Sequence, residues 1–235
     1  MIIRFITLLA ASVTALAASA QELSTYSVNV GDFDRLYVKG PVNVNYITSA
    51  DSTGMAVFDA PESVVAGITF QNKSGKLTIR IADELKGHPD LPVVTVYSAF
   101  LVKAENSGDS TLRLVKVQPV PKISLNVVDN GRIVCRDLRS HRVEASLSTG
   151  HGEIVLFGKC DEAVYNFVGA GLLQCDELEA RAVTVKAFGT GQVGCWATES
   201  LKIYGGGSTT IYYKGDPSEI IDRGVGIKLR KIDQL

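Results

Sequence analysis

The sequence is poor in the residues from which catalytic and metal centres are built. It holds three histidines, His88, His141 and His151, and no two stand at ligand spacing, so the pattern offers no zinc site. No serine or cysteine shows a matching base, which leaves nucleophilic catalysis without a candidate, and no cofactor-binding motif is present. Charge of one sign is missing too: 24 Lys and Arg against 25 Asp and Glu, dispersed along the chain, read as a solvated surface. Nothing in that balance recruits nucleic acid or an anionic membrane surface, both of which want concentrated cations.

Long apolar runs are confined to the N-terminus. Arg4, the apolar stretch 5–17 and the small residues Ala18-Ser19-Ala20 have the order of a secretory signal with cleavage before Gln21. Thr7, Ser12 and Thr14 interrupt that stretch, and it falls short of the roughly 20 apolar residues of a spanning helix. No cysteine lies at the junction, so lipoprotein attachment is not expected. The expected mature chain, residues 21–235, has no transmembrane segment and a formal charge of −2, from 23 basic and 25 acidic residues once Arg4 is removed. It is long enough for one domain with a continuous core.

What the sequence has in quantity is repetition. Ile123-Ser-Leu-Asn-Val127, the turn Asp129-Asn-Gly131 and Ile133-Val-Cys135 are followed by three similar copies that begin at Val143, Ala163 and Val183. The step is 20 residues (183 − 163), with Cys135, Val155, Cys175 and Cys195 as a second expected column. A fixed period with apolar residues at alternate positions implies short strands stacked in parallel. Ile123, Val143, Ala163 and Val183 then face inward, with Leu125, Ala145, Tyr165 and Val185 beside them. Ser124, Glu144 and Thr184, and Asn126, Ser146, Asn166 and Lys186, face water. A third short run near Leu138 and Leu178 closes each coil. The expected fold is all-β, a right-handed parallel β-helix (β-solenoid) with about 20 residues per coil in the C-terminal half. An antiparallel sandwich has short strands as well, but no reason to keep like residues in register at one period.

The first half alternates with looser spacing. Phe33, Leu36 and Val38, then Val42, Val44 and Tyr46, and, around the turn Lys73-Ser-Gly75, Phe70 and Leu77 are expected to form irregular first coils of the same helix. Residues 83–90 read as a loop leaving the coil, and 101–114 as a variant coil.

The order Phe33-x-x-Leu36-x-Val38-x-Gly40, Val42-x-Val44, Gly75-x-Leu77-x-Ile79, Val94-Thr-Val96-Tyr97 and Asn106-Ser107-Gly108 resembles the head GIN domain, the auto-transporter adhesin head of Bacteroidetes. Tyr213-Lys-Gly215-Asp-Pro217 and Gly224-Val-Gly226-Ile227 are similar to the last coil of that family. The resemblance implies the solenoid fold and an adhesin-like role, and it carries no active site.

Three groups are candidates for chemistry or binding. The cysteines are expected as buried thiols, because adjacent coils sit roughly 4.8 Å apart whereas a disulfide brings Cβ atoms to about 3.8 Å. Cys160 lies elsewhere in its coil and is expected to be partly exposed. His151 and Glu153 form the close His and carboxylate pair within the repeats, though a turn histidine beside a solvated glutamate is the commoner arrangement; His88 and His141 read as lone surface residues. Trp196, Tyr204 and Tyr212, with Tyr213 beside them, are either ligand contacts or caps over the core end. The functional expectation is an exported noncatalytic β-helix that presents an interaction or adhesion surface to an envelope protein or glycan, in the periplasm or at the cell surface. A polysaccharide lyase or hydrolase is the alternative, but the outward columns carry no ladder of carboxylates.

Overall fold

The computed structural model describes residues 23–89 and 91–232, so the expected signal at 1–20 lies outside the described residues. The described residues are about 68% strand and form a β-solenoid of about six turns of roughly 20 residues each in the C-terminal half. The strands are β1 (Ser24–Asn29), β2 (Arg35–Lys39), β3 (Asn43–Thr48), β4 (Met55–Ala60), β5 (Ile68–Lys73), β6 (Lys76–Ile81), β7 (Val93–Ser98), β8 (Lys103–Ser107), β9 (Thr111–Lys116) and β10 (Val120–Val127). Five longer or closing strands follow as β11 (Arg132–Leu147), β12 (Glu153–Phe167), β13 (Leu172–Ala187), β14 (Thr190–Gly206) and β15 (Ser208–Lys214); β16 (Glu219–Val225) and β17 (Lys228–Lys231) make the last coil.

Every pairing from β8 onward is parallel, which excludes the sandwich. Two faces run along the axis. Face A stacks β6, β2, β8, β10, the second halves of β11 to β14, and β16. Face B stacks β7, β3, β9, the first halves of β11 to β14, β15 and β17. The third run is present, with Leu138 on Gly158 and Gly158 on Leu178.

The column Ile123, Val143, Ala163 and Val183 forms in the expected register and is buried throughout. Each large aliphatic member contributes about 1.5–3 kcal/mol from burial. The second column departs from expectation: Cys135 pairs with Leu156, and Val155 pairs with Gln174. The reason is the turn Ser148–Gly152, one residue longer than Val128–Gly131, which delays the next run by one position. Cys175 and Cys195 do stack.

Glycines line the turn between the faces because successive coils touch there through backbone. A Cβ on Gly171 would sit 1.9 Å from the Gly152 carbonyl oxygen, and one on Gly189 would sit 2.1 Å from that of Gly169. From Gly169 onward the turn is mostly glycine, as Gly169-Ala-Gly171, Gly189-Thr-Gly191 and Gly205-Gly-Gly207, whereas the earlier turns also carry Asp129, Asn130, Thr149 and His151.

The N-terminal half differs from simple early coils. β2 and β3 lie between β6 and β7 on one side and β8 and β9 on the other, so the first coil in sequence is the second in space. The chain runs outward to the end, folds back through antiparallel β5 on β6, β4 on β7 and β1 on β4, and returns. The turn Lys73-Ser-Gly75 is a hairpin: Lys73 faces Lys76, and Ser74 and Gly75 have φ of 50° and 77°. Two residues at positive φ close an antiparallel pair, whereas a parallel pair needs a long crossover. Residues 83–85 form a 3₁₀ turn within the expected loop.

The C-terminal end is closed by charge instead. Asp222 occupies the position that Ile203 and Val185 fill in the preceding coils, and it is exposed at the last rung. Lys228, Arg230 and Lys231 line the other edge strand. Inward charges and edge cations block strand addition from another molecule. Asp222→Val is therefore expected to promote end-to-end association, visible in sedimentation velocity as concentration-dependent oligomers; a monomer at all concentrations would remove that role from Asp222.

Candidate functional site

The aromatic residues of the C-terminal coils separate when folded. Tyr204 stands on face A, in register between Lys186 and Arg223. Tyr212 is on face B, between Gly194 and Arg230, and borders a cavity of about 230 Å³ with Gln174, Asp176 and Ile232. Trp196 lies at the far bend, aligned with Glu179 and Lys214. Tyr213 follows the Cys195 column and packs against the core, with Lys231 of β17 in register beyond it. No ring contact joins these residues; among the described residues the paired rings are Tyr26 with Phe58, Phe33 with Tyr46, and Phe58 with Phe70.

A surface that sequence reading missed runs beside Tyr204. Phe167 pairs with Ala187, Ala187 with Gly205, and Gly206 with Val225, which places Val168, Phe188, Gly206 and Val225 in one column at the corner between the faces. Val168, Phe188 and Val225 are 54%, 62% and 77% exposed, an uncommon concentration of large apolar groups in water. Each is followed by a glycine of the turn ribbon, Gly169, Gly189 or Gly226, so the side chains stand clear of their surroundings. The period of 20 was the available signal, had residues one place beyond each inward run been aligned. The next column on face A reads Asn166, Lys186, Tyr204 and Arg223.

Behind that column, a groove of about 350 Å³ is floored by Val164, Ala182, Thr184 and Ser200 and bordered by Arg142, Glu162, Lys186 and Lys202. Arg142 is held by Glu144 and Glu162, and Lys202 lies 3.7 Å from Glu219. At the N-terminal turns a cavity of about 540 Å³ mixes Lys39, Arg80 and Lys86 with Asp83, Asp109 and Asp129. Asp83 there is already paired with Lys86 at 2.7 Å.

Among the described residues the histidines and carboxylates singled out in the sequence are engaged in other contacts. Glu153 is engaged by Arg132 at 2.9 Å, and His151 meets Asn130 through its backbone N–H, so these two do not form a dyad. His141 is not lone: its Nδ1 lies 2.6 Å from Asp161 Oδ2, a pair created by the step of 20. The neighbouring Ser140 hydroxyl donates to the Val120 carbonyl at 2.6 Å, and Cys160 points inward. Among the described residues no group of three His, Cys, Asp or Glu side chains could hold a metal ion.

All four cysteines are free and buried, Cys160 included, because its third run turns that side chain into the core. Burial pushes the thiol of Cys135 up to about 11 and those of Cys160 and Cys195 up to about 12; Cys175 is raised as well. Cys160, Cys175 and Cys195 lie around the Tyr165 hydroxyl, which is fully buried, raised by that burial, and makes no hydrogen bond of acceptable geometry. The ring fills the inner column, and its apolar area offsets the unpaired hydroxyl.

The pattern of the family described as "putative auto-transporter adhesin, head GIN domain" matches residues 32–217. The fold is similar to that of a putative adhesin from Bacteroides fragilis, at 23% identity and a TM-score of 0.76 over 91% of this chain and 98% of the other. It is also similar to a putative lipid binding protein from Parabacteroides distasonis, at 20% identity and a TM-score of 0.71 over 91% and 98%. A putative adhesin from Parabacteroides merdae aligns at 19% identity and a TM-score of 0.70 over 91% and 97%. No curated protein matches the chain.

Proposed function

This chain belongs to the head GIN domain family of putative auto-transporter adhesins, and from that premise we propose that it is an exported, noncatalytic solenoid presenting an interaction surface at the bacterial cell envelope. The observation that carries the reading is the exposed corner of Val168, Phe188 and Val225, held at fixed spacing by parallel coils. Such an arrangement serves contact rather than turnover: its geometry is rigid, and the columns beside it bring no acid and base together. The N-terminal pattern supports export, with release before Gln21 into the periplasm or onto the cell surface. Among the described residues no helix is long and apolar enough to cross a membrane.

The test pairs location with activity. A reporter that works only outside the cytoplasm is expected to be active when fused to the full chain and silent when residues 1–20 are deleted. Bacteria lacking the chain are expected to lose adherence to surfaces that the wild type colonises. Cytoplasmic retention would sink the reading, as would depolymerisation of a polysaccharide that His151→Ala or Glu153→Ala abolishes without unfolding.

A further inference from the structure

We propose that the corner formed by Val168, Phe188, Gly206 and Val225 docks on the surface of an anionic lipid bilayer. The proposal deepens the envelope reading and rests on it for the location of the partner.

Charge is the first argument. The sequence disperses its cations, but the fold gathers four around this corner. Lys186 and Arg223 lie one column back on face A, while Lys228 and Arg230 stand on face B just past the turn. Among the described residues none of the four has an ion-pair partner, in contrast to Arg181, Lys202, Lys214 and Lys231 of the same coils, which are paired with carboxylates. The corner column, Val168 to Val225, and the three beside it, Asn166 to Arg223, Leu172 to Lys228 and Gln174 to Arg230, contain no acidic residue of their own. The carboxylate that reaches over them, Asp176 beside Gly194, lies 3.6 Å from Lys214. Asp222, in register with inward Ile203, is exposed and accepts the Gly224 N–H at 2.9 Å. The corner is therefore a cationic rim around an apolar line, complementary to anionic headgroups over acyl chains.

Shape is the second. The apolar line sits on a turn between two faces and beside a ribbon of glycine, so no taller side chain stops it from entering an interface. An extended peptide would require an open strand edge or a cleft, yet the backbone here is paired coil to coil: Phe188 N–H donates to the Phe167 carbonyl at 2.7 Å, and Thr190 N–H to that of Gly169 at 3.1 Å. A glycan would use several ring faces, and Phe188 is the one aromatic residue of the line. Tyr204, amphipathic and one column behind, is placed for the headgroup level. The groove at Arg142 is the weaker anion site, since its arginine is already neutralised by two glutamates.

The experiment is vesicle flotation of the chain from Gln21 onward, which carries every described residue and omits the N-terminal apolar stretch. Phosphatidylcholine vesicles are compared with vesicles in which about one third of the lipid is phosphatidylglycerol. Binding is expected only to the anionic vesicles and is expected to weaken with salt. Lys186→Glu with Arg223→Glu is expected to reduce partitioning roughly tenfold or more, and Phe188→Ser to reduce it as well. Phe100→Ser, at an exposed residue outside the corner, serves as the control and should change nothing. Equal binding to both vesicles, or none to either, overturns the proposal. So does retention on an acidic polysaccharide resin without vesicle binding, or a concentration-dependent dimer that Phe188→Ser dissolves, since each assigns the corner to another occupant. Failure of export would sink the envelope role while leaving the vesicle result standing.

Discussion

Val143→Asp is expected to abolish the folded state, whereas Asn166→Asp leaves the thermal transition nearly unchanged. Val143 is fully buried between Ile123 and Ala163 in the inner column. Its replacement forfeits about 1.5–3 kcal/mol of apolar burial and places a carboxyl group where no partner reaches it, a further cost of about 2–7 kcal/mol even when the group is neutral. The sum rivals the whole stability of a typical domain, roughly 5–15 kcal/mol. The adjacent charges give no relief, because Glu144 and Arg142 are turned outward and bonded to each other. Asn166 faces water and donates to Ser146 Oγ at 3.1 Å, so its change to Asp removes one surface hydrogen bond, about 1 kcal/mol. Circular dichroism melts of the two purified variants decide the matter: similar transitions would mean that the inner and outer faces are wrongly assigned.

That inner column was legible because parallel stacking repeats one environment at one period, so position alone predicts burial. The same logic failed where chain length between runs changed. Ser148–Gly152 gains one residue over Val128–Gly131, and this shifts Val155 out of the cysteine column and puts Leu156 in. The first half resisted for a topological reason. Alternation in β2 and β3 says that one face is buried but not which coil lies on either side, and the outward excursion through β4 to β7 leaves no period to follow.

The corner of the candidate site was hidden for a related reason. Val168, Phe188 and Val225 look like stray apolar residues in sequence, and the aromatic cluster near the C-terminus looks like a patch. Pairing reverses both impressions: it separates Tyr204 from Tyr212 across two faces and brings three distant side chains into a line. Lys186, Arg223, Lys228 and Arg230 likewise become a rim only when 18 to 20 residues of chain form each coil.

Stability is expected to collapse between pH 8.5 and 10 in the presence of reductant. The cause is the four buried thiols. In the folded state Cys135 is pushed up to about 11, and Cys160 and Cys195 to about 12, with Cys175 raised too, all through burial. The unfolded chain ionises its thiols near pH 8.5. A folded-state value raised above the unfolded one favours folding fully at pH below the unfolded value, and that contribution is lost as pH rises, because the unfolded state sheds protons that the folded state keeps. At pH 10 the loss is about 2 kcal/mol for each thiol, on the order of 8 kcal/mol for four, enough to unfold a typical domain. Ion pairs do not offset it, since the carboxylates and most cations keep their charge over this range. Urea midpoints at pH 7, 8.5 and 10 measure the effect directly, and Cys135→Ala should reduce the steepness of the fall by about one proton while lowering stability at pH 7. A midpoint that stays flat to pH 10 would mean that the thiols ionise inside the fold, and the buried surroundings of Cys160, Cys175 and Cys195 would then have to be open to water.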